Sequence, residues 1–348
     1  MRNYLLAILM LSASSAMAQI QNSEVYEFGD VVLKSQVRNH ICLPKVDGYT
    51  PLKCDFHIHT VFSDGEVWPT TRVDEAWSDG LDVIAITDHI EYRPYKDVVK
   101  GDLNESNKIA ANHAKNKGIL VVPGIEITRS KPLGHLNALF IKDANALDVD
   151  NELEAIDIAV SQGAYILWNH PGWPDDKTTL YPVHEQLIKD KKISAVEVFN
   201  DIEYYPRSFK WCNDYNLAYF ACSDIHDLIV THYGKNIRPM TIVFAKEKTK
   251  ESLREAMDAR RTIAFFNGQL AGDKDLLEKF VKASLEITKV GEDVVEVYNN
   301  SDITYPIRAN GQTIRLKAGK TVRISKLAES YIVTNCHIGE NEKLTISL

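Results

Sequence analysis

Short apolar runs alternate with stretches rich in helix formers from about residue 49 to residue 274. The runs are KCDFHIHT, LDVIAITDH, GILVVPGIEIT, HLNALFIK, AYILWNHP, AVEVFN, LAYFACSDIH and MTIVFA. Continuous Val, Ile, Leu and Phe without polar alternation suits strands covered on both faces, as in a mostly parallel sheet wrapped by helices. Between the runs, helices are predicted over 69–79, 104–116, 151–161, 181–189, 207–215 and 250–260, several entered from Asp, Asn or Thr and some stopped by Gly. Seven or so such repeats predict an α/β domain, and fit a barrel better than a sandwich.

From about Leu276 the pattern changes to period-two alternation broken by the turns NNSD, NGQ, KAGK and GENE. That predicts a small all-β sandwich over 275–348. His337 is alone there and reads as structural. At the other end, Arg2, an apolar run from Tyr4 to Leu11 and the small-residue ending Ala16-Met17-Ala18 have the layout of a secretory signal peptide. Residues 1–18 are therefore expected to be a signal cut after Ala18, residues 19–48 a polar arm, and the mature protein periplasmic or secreted. No later apolar run is long enough to cross a bilayer.

Composition narrows the classes. The 348 residues are 45% hydrophobic and 25% charged, as in ordinary folded proteins, and the net charge of -8 gives no general attraction for polyanions. Nucleic acid is not expected as an obligate partner. Five cysteines, an odd number, cannot supply the framework of the fold, although Cys42 and Cys54 could form one pair.

Candidate chemistry gathers at the ends of the apolar runs. His57 and His59, two apart on a strand, project from one face and can reach one metal ion. An isolated H-x-H is weak, but Asp64 follows in the loop, Asp88 and His89 end the second run, and Glu126 lies near the end of the third. His135 sits in SKPLGHLNALF, His170 ends the fifth run, and Asp224 with His226 ends the seventh. Burying that many polar groups without partners costs roughly 1–3 kcal/mol each, a cost that coordination removes. Nitrogen and carboxylate donors suit Zn, Mn or Fe better than Ca. There are more of them than one ion needs, so two or more ions are expected.

Taken in order, HIHTVFSDG, TDH, GIE, GH, NHPG and SDIH resemble the polymerase and histidinol phosphatase (PHP) superfamily, especially its exported phosphodiesterase-like branch. The resemblance covers about 51–271. It implies a distorted seven-stranded β/α barrel of TIM-like form, two to three divalent ions, and hydrolysis of phosphate esters. By motif, it implies that His57, His59, Glu126 and Asp224 hold one ion, Glu126, His135 and His170 a second, and Asp64, His89 and His226 a third. Asp64 stands where many members have a third early histidine.

Two cations sharing a water generate hydroxide near neutral pH and bind phosphoryl oxygens as they gain charge. Asp224 or His226 is the nearest candidate for moving a proton to the leaving alkoxide. Arg93, Arg129, Lys131 and Arg207, with Tyr95, are candidate substrate contacts in loops after the ligand-bearing ends, Arg being suited to bidentate phosphate contact; solvated loop charge is the bland alternative. Asp88 could be an acceptor for a metal-bound His, and Asn169 and Trp173 could touch substrate or merely pack. His40, His113, His184 and His232 read as structural or surface residues. The expected function is metal-dependent hydrolysis of a phosphomonoester or phosphodiester of a small organic substrate. Amide, carbamate or carboxylic ester hydrolysis, or a binding protein for a glycan or partner, are the alternatives.

Overall fold

The computed structural model describes residues 37–175, 177–325 and 328–348. The expected signal over 1–18 and the arm as far as residue 36 lie outside the described residues. Residues 37–45 carry no helix or strand, and Arg38–Leu348 form one unit.

The chain runs β1 (Thr50–Asp55), α1 (Pro69–Ser78), β2 (Val83–Ile86), α2 (Glu105–Ala114), β3 (Leu120–Thr128), β4 (His135–Leu139), α3 (Glu152–Ser161), β5 (Tyr165–Trp168), α4 (Pro182–Lys189), β6 (Ile193–Asn200), β7 (Glu203–Tyr204), α5 (Ser208–Tyr215), β8 (Ala218–Cys222), α6 (Ile229–His232) and β9 (Met240–Ala245). It continues through α7 (Lys250–Asp258), β10 (Thr262–Phe266), β11 (Gln269–Gly272), α8 (Lys274–Ala283), β12 (Leu285–Lys289), β13 (Val294–Asn299), β14 (Tyr305–Ala309), β15 (Gln312–Leu316), β16 (Thr321–Ser325), β17 (Tyr331–His337) and β18 (Lys343–Ile346). All six helices expected between the apolar runs form. Caps read from the sequence hold two of them: the Asn151 side chain accepts from Leu153 and Glu154 N–H, and that of Thr249 from Ser252 N–H.

The site-bearing sheet runs β9-β1-β2-β3-β4-β5-β6-β8. Four of its ladders are parallel (β1 with β2, β2 with β3, β5 with β6, β6 with β8), whereas β4 and β9 run antiparallel to their neighbours. Side chains from all eight strands, among them Phe56, Ala85, Val122, Leu139, Leu167 and Phe220, meet in one buried cluster. The expected closed seven-stranded barrel needs correcting on one point: no ladder among the described residues joins β8 to β9. At that seam the Thr241 hydroxyl accepts from Ala221 N–H at 3.0 Å and donates to Ala221 C=O at 2.9 Å, so a side chain takes the groups a strand partner would have used.

The C-terminal strands extend this sheet, because β11 pairs in parallel with β17, while β12, β13 and β16 make a separate antiparallel sheet. Leu285, Val297 and Ile324 of the small sheet share a buried cluster with Tyr305, Tyr331 and Leu344 of the large one. Helix α8, absent from the expected pattern, joins them. Asp273 caps it, and Leu277, Phe280 and Val281, at helical spacing, bury one stripe in the same cluster. Cys42 is an exposed free thiol and Cys54 a buried one, so the pair suggested by the sequence is not formed. Among the described residues no helix is long and apolar enough to cross a membrane.

His184 shows how a polar residue becomes part of this framework. Its Nε2–H donates to Leu133 C=O at 2.7 Å, its Nδ1 accepts from Tyr181 N–H at 3.3 Å at the start of α4, and the ring stacks on Trp168 at 3.9 Å. Both nitrogens are satisfied only in the neutral ring. Burial lowers its pKa to about 4. The unfolded chain therefore takes up the proton first, so the stability from His184 is complete above about pH 6.5 and lost as pH falls toward 4, by at most about 1.4 kcal/mol per pH unit. Urea midpoints measured from pH 7 to pH 4 should show this slope reduced in His184→Gln; identical slopes in the two proteins would refute it.

Candidate metal centre

The ligand-type residues converge because strand ends do. His57 and His59 lie just past β1 on an extended segment bridged to Ile225, and Asp64 follows in the next loop. His89 lies just past β2 and Glu126 within β3, and these two pair as an isolated parallel bridge. His170 follows β5, and Asp224 and His226 follow β8. His135 opens β4 instead of ending a strand. As an antiparallel strand, β4 brings its first residue to the edge where its parallel neighbours bring their last.

The geometry is tight. Asp224 Oδ1 is 3.0 Å from Nε2 of both His57 and His59, and Glu126 Oε2 is 3.4 and 3.3 Å from the same atoms. Glu126 also reaches His89 Nδ1 and His135 Nδ1 at 2.9 Å each. Asp64 Oδ1 is 3.3 Å from His89 Nε2 and 3.2 Å from His226 Nε2. Four groups have ligand atoms mutually within 4.8 Å: His59, Asp64, His89 and His226; His57, Glu126 and His170; His57, His59 and Asp224; His89, Glu126 and His135. The nine residues named from the sequence are thus brought together, but the grouping differs from the one implied by resemblance. His59 stands with His57 and Asp224, as the resemblance implies, but also with the Asp64 group, and His135 and His170 fall in separate groups sharing Glu126.

His57 Nδ1–H donates to Glu197 Oε1 at 2.9 Å, which leaves Nε2 facing the carboxylates of Asp224 and Glu126. Such a contact is repulsive unless a positive charge lies between the atoms. His226 is set the same way, its Nδ1–H donating to Asp224 C=O at 2.7 Å and its Nε2 facing Asp64. Nε2 of His57 and His59, Oδ1 of Asp64, Oε2 of Glu126 and Nδ1 of His135 are all buried without a hydrogen-bond partner. The donor set fits divalent cations.

Electrostatics point the same way. Burial would lower His57, but Asp224, Glu197 and Glu126 carry it well above the ordinary imidazole value. Burial, with His89 and His226 close by, holds His59 down to about 3, a neutral ring. Against burial, Glu126 and Asp64 carry His89 up to about 10. Burial would raise Glu126 and Asp224, yet His89 and His57 hold Glu126, and His57 holds Asp224, well below the usual carboxylate range. Anionic carboxylates packed against imidazoles form a cluster in which cations can replace protons. Asp224 (φ 52°) and His170 (φ 20°) have positive φ, strain of about 1–3 kcal/mol each for non-glycine residues. Hydrogen bonds from Asp224 N–H to His57 C=O (2.8 Å) and from His170 N–H to Glu197 Oε2 (2.7 Å) hold them there.

Several supports were not singled out in the sequence. Glu197 binds His57, His170 N–H and Asn200 at once; its signal was a lone charge inside the apolar run AVEVFN. Arg72, fully buried on the apolar stripe of α1, donates to the carbonyls of His59, Ile225, His226 and Asp227. Gly65 is required by contact: a Cβ there would lie 2.6 Å from the His59 carbonyl carbon. Asp88 accepts from Thr60 N–H (2.7 Å) and from the hydroxyls of Thr60 and Ser63 (2.8 Å each), so it braces the loop carrying His59 and Asp64 instead of receiving a histidine proton. Asn169 donates to Glu126 Oε1 at 3.0 Å. His232, expected to be structural or surface, bridges Asp201 (2.6 Å) and Asp227 (3.0 Å) on the cleft wall. Glu197→Gln should cut metal affinity or turnover by roughly 10- to 100-fold with the fold intact; metal titration and circular dichroism together check this, and unchanged affinity would refute it.

A cleft of about 700 Å³ opens over the cluster. None of Arg93, Arg129, Lys131, Arg207 and Tyr95 lines it. Arg93 pairs with Asp148 at 3.7 Å, Arg129 with Glu91 at 2.8 Å and Lys131 with Asp175 at 2.9 Å, while Arg207 reaches Thr178 C=O at 3.4 Å. Arg129 and Lys131 line a neighbouring pocket of about 380 Å³.

The PHP domain model matches residues 55–235. A two-domain protein from Bacteroides vulgatus containing a predicted PHP-like metal-dependent phosphoesterase is 38% identical, with a TM-score of 0.87, over 90% of this chain and 99% of that one. An uncharacterized protein of Methanocaldococcus jannaschii is 39% identical over 83 residues, 23% of this chain and 36% of its own length; the chain thus spans about a third of that curated relative. Because the matched segment is more than half of the chain and carries every member of the His, Asp and Glu cluster, the chain belongs to the PHP domain family.

Proposed function

We propose that this protein is an exported metal-dependent phosphoesterase that hydrolyses a phosphate ester of a small organic substrate. The observation that carries this reading is the convergence of nine His, Asp and Glu residues whose inward nitrogen and oxygen atoms face one another in groups within 4.8 Å. Two to three divalent ions, Zn, Mn or Fe, are the proposed occupants. When bound, they supply Lewis-acid polarisation of the phosphoryl group and a nucleophilic water near neutral pH.

The chain supplies the rest. Glu197 and Asn169 fix the directions of His57 and Glu126, so the cluster is set before substrate arrives. Trp173 and Tyr92, half-exposed at the mouth of the cleft, cover a bound substrate against bulk water. The partly exposed His226 is the proposed donor of a proton to the leaving alkoxide, with the Asp224 carboxylate 3.9 Å from its Nδ1 favouring the protonated ring. Export rests on the signal layout of residues 1–18. The domain reading that accompanies it is a metallohydrolase domain over 49–274 followed by a smaller, mostly β segment over 275–348.

The test is a substrate panel on protein of measured metal content: bis-p-nitrophenyl phosphate, p-nitrophenyl phosphate and p-nitrophenyl acetate. Turnover of a phosphate ester well above that of the acetate supports the reading. Metal-loaded protein that cleaves only the acetate would replace it with carboxylic ester hydrolysis.

A further inference from the structure

The cluster sits between two cavities of opposite character. Thr128, His135, His170 and Trp173 line both the 700 Å³ cleft and the 380 Å³ pocket. The Trp173 ring stands 4.9 Å from that of His135 and 5.7 Å from that of His170, so the divide is a patch of aromatic edges beside the ligand atoms. Beyond the cluster the larger cavity presents Glu66, Asp201, Glu203 and Asp227, with His232 bridging Asp201 and Asp227 and no Lys or Arg in its wall. The smaller one is walled by Pro132, Leu133, Trp168, Pro171, Pro174 and Tyr181, and its two cations, Arg129 and Lys131, are paired with Glu91 at 2.8 Å and Asp175 at 2.9 Å.

A phosphoryl group seated at the cluster has an opening on either side. A monoester fills one and leaves the other empty, whereas the two ester arms of a diester occupy both. The small pocket suits a flat apolar arm, which packs against the exposed Trp173 ring and the Pro surfaces beside the edge of Trp168. The large cleft suits a polar arm that is uncharged or cationic, because four carboxylates repel a second anion. We infer, on top of the phosphoesterase reading, that the substrate is a phosphodiester with one flat apolar arm in the Trp168–Tyr181 pocket and one polar, non-anionic arm against Glu66, Asp201, Glu203 and Asp227. Polyphosphorylated esters and nucleic acid strands are disfavoured by the same wall.

The experiment compares kcat/KM for p-nitrophenylphosphorylcholine, p-nitrophenyl phosphate and the 5'-p-nitrophenyl ester of thymidine 3',5'-bisphosphate, in wild type and in Thr179→Tyr, whose ring plugs the small pocket from its rim. The expected result has three parts: the choline diester exceeds the monoester at least tenfold, it exceeds the bisphosphate at least tenfold, and Thr179→Tyr lowers the diester-to-monoester ratio at least tenfold with metal content and thermal midpoint retained. A monoester preference, or a ratio unmoved by the plug in folded, metal-loaded variant, overturns the two-arm assignment alone. Equal rates for the choline and bisphosphate diesters overturn its charge component. A wild type inert toward all three removes the phosphoesterase reading and this inference with it.

Discussion

Replacing Asp224 with alanine is expected to lower kcat/KM for a phosphate ester by roughly 10³-fold or more, the scale of losing several kcal/mol of charge stabilisation at a metal centre. Asp224 Oδ1 is the oxygen that both His57 and His59 approach at 3.0 Å, and Oδ2 lies 3.7 Å from His170. Its removal takes away one of the two carboxylates, Asp224 and Glu126, that face both imidazoles, and with it one donor from the cluster. Metal content should fall in parallel with rate. Because the side chain borders the open cleft, the fold should survive, and thermal unfolding of the metal-free proteins should differ little. Metal analysis and steady-state kinetics on the purified variant check this. Retention of full metal content with full activity would remove Asp224 from the site.

The second large effect is on stability. Arg238→Met is expected to destabilise the fold by about 3–5 kcal/mol, as when one partner of a buried ion pair is removed. Arg238 is fully buried, with Nη1 3.3 Å from Asp55 Oδ2 and Nε donating to Asp79 Oδ2 at 2.8 Å. Asp55 is itself completely buried and accepts from Ser223 N–H and from its hydroxyl. Without the guanidinium, the buried carboxylate loses its ion-pair partner. Because Ser223 precedes the strained Asp224, the damage should reach the cluster as lower metal affinity. Urea unfolding at pH 7 measures the first effect and metal titration the second. A loss below about 1 kcal/mol, the range of exposed pairs, would show that hydrogen bonds from Ser223 suffice for Asp55.

Much of this arrangement was legible in the residues. Every apolar run became a strand or an extended segment, and the nine ligand-type residues were found because buried polar groups at strand ends stand out against Val, Ile and Leu. What was hidden depended on tertiary pairing. The direction of β4, which decides why His135 opens its strand, is set by its partners and not by its own alternation. The open seam at β8 turns on one Thr241 hydroxyl. Glu197 and Arg72 were readable only as anomalies, a charge inside an apolar run and a charge on a buried helical stripe, and neither names its partner. The loop arginines looked like phosphate ligands because residue type carries no record of which carboxylate lies nearby. Arg129 and Arg93 are drawn to Glu91 and Asp148 instead.

The central claim is that the cluster binds the metal on which hydrolysis depends, and stripping and restoring that metal tests it most directly. Purified protein should carry at least two equivalents of divalent metal, lose bis-p-nitrophenyl phosphate hydrolysis on chelation, and regain it when Zn, Mn or Fe is returned, with His57→Ala regaining neither metal nor rate. Hydrolysis that persists in metal-free protein, or metal bound undiminished by His57→Ala, would contradict the account.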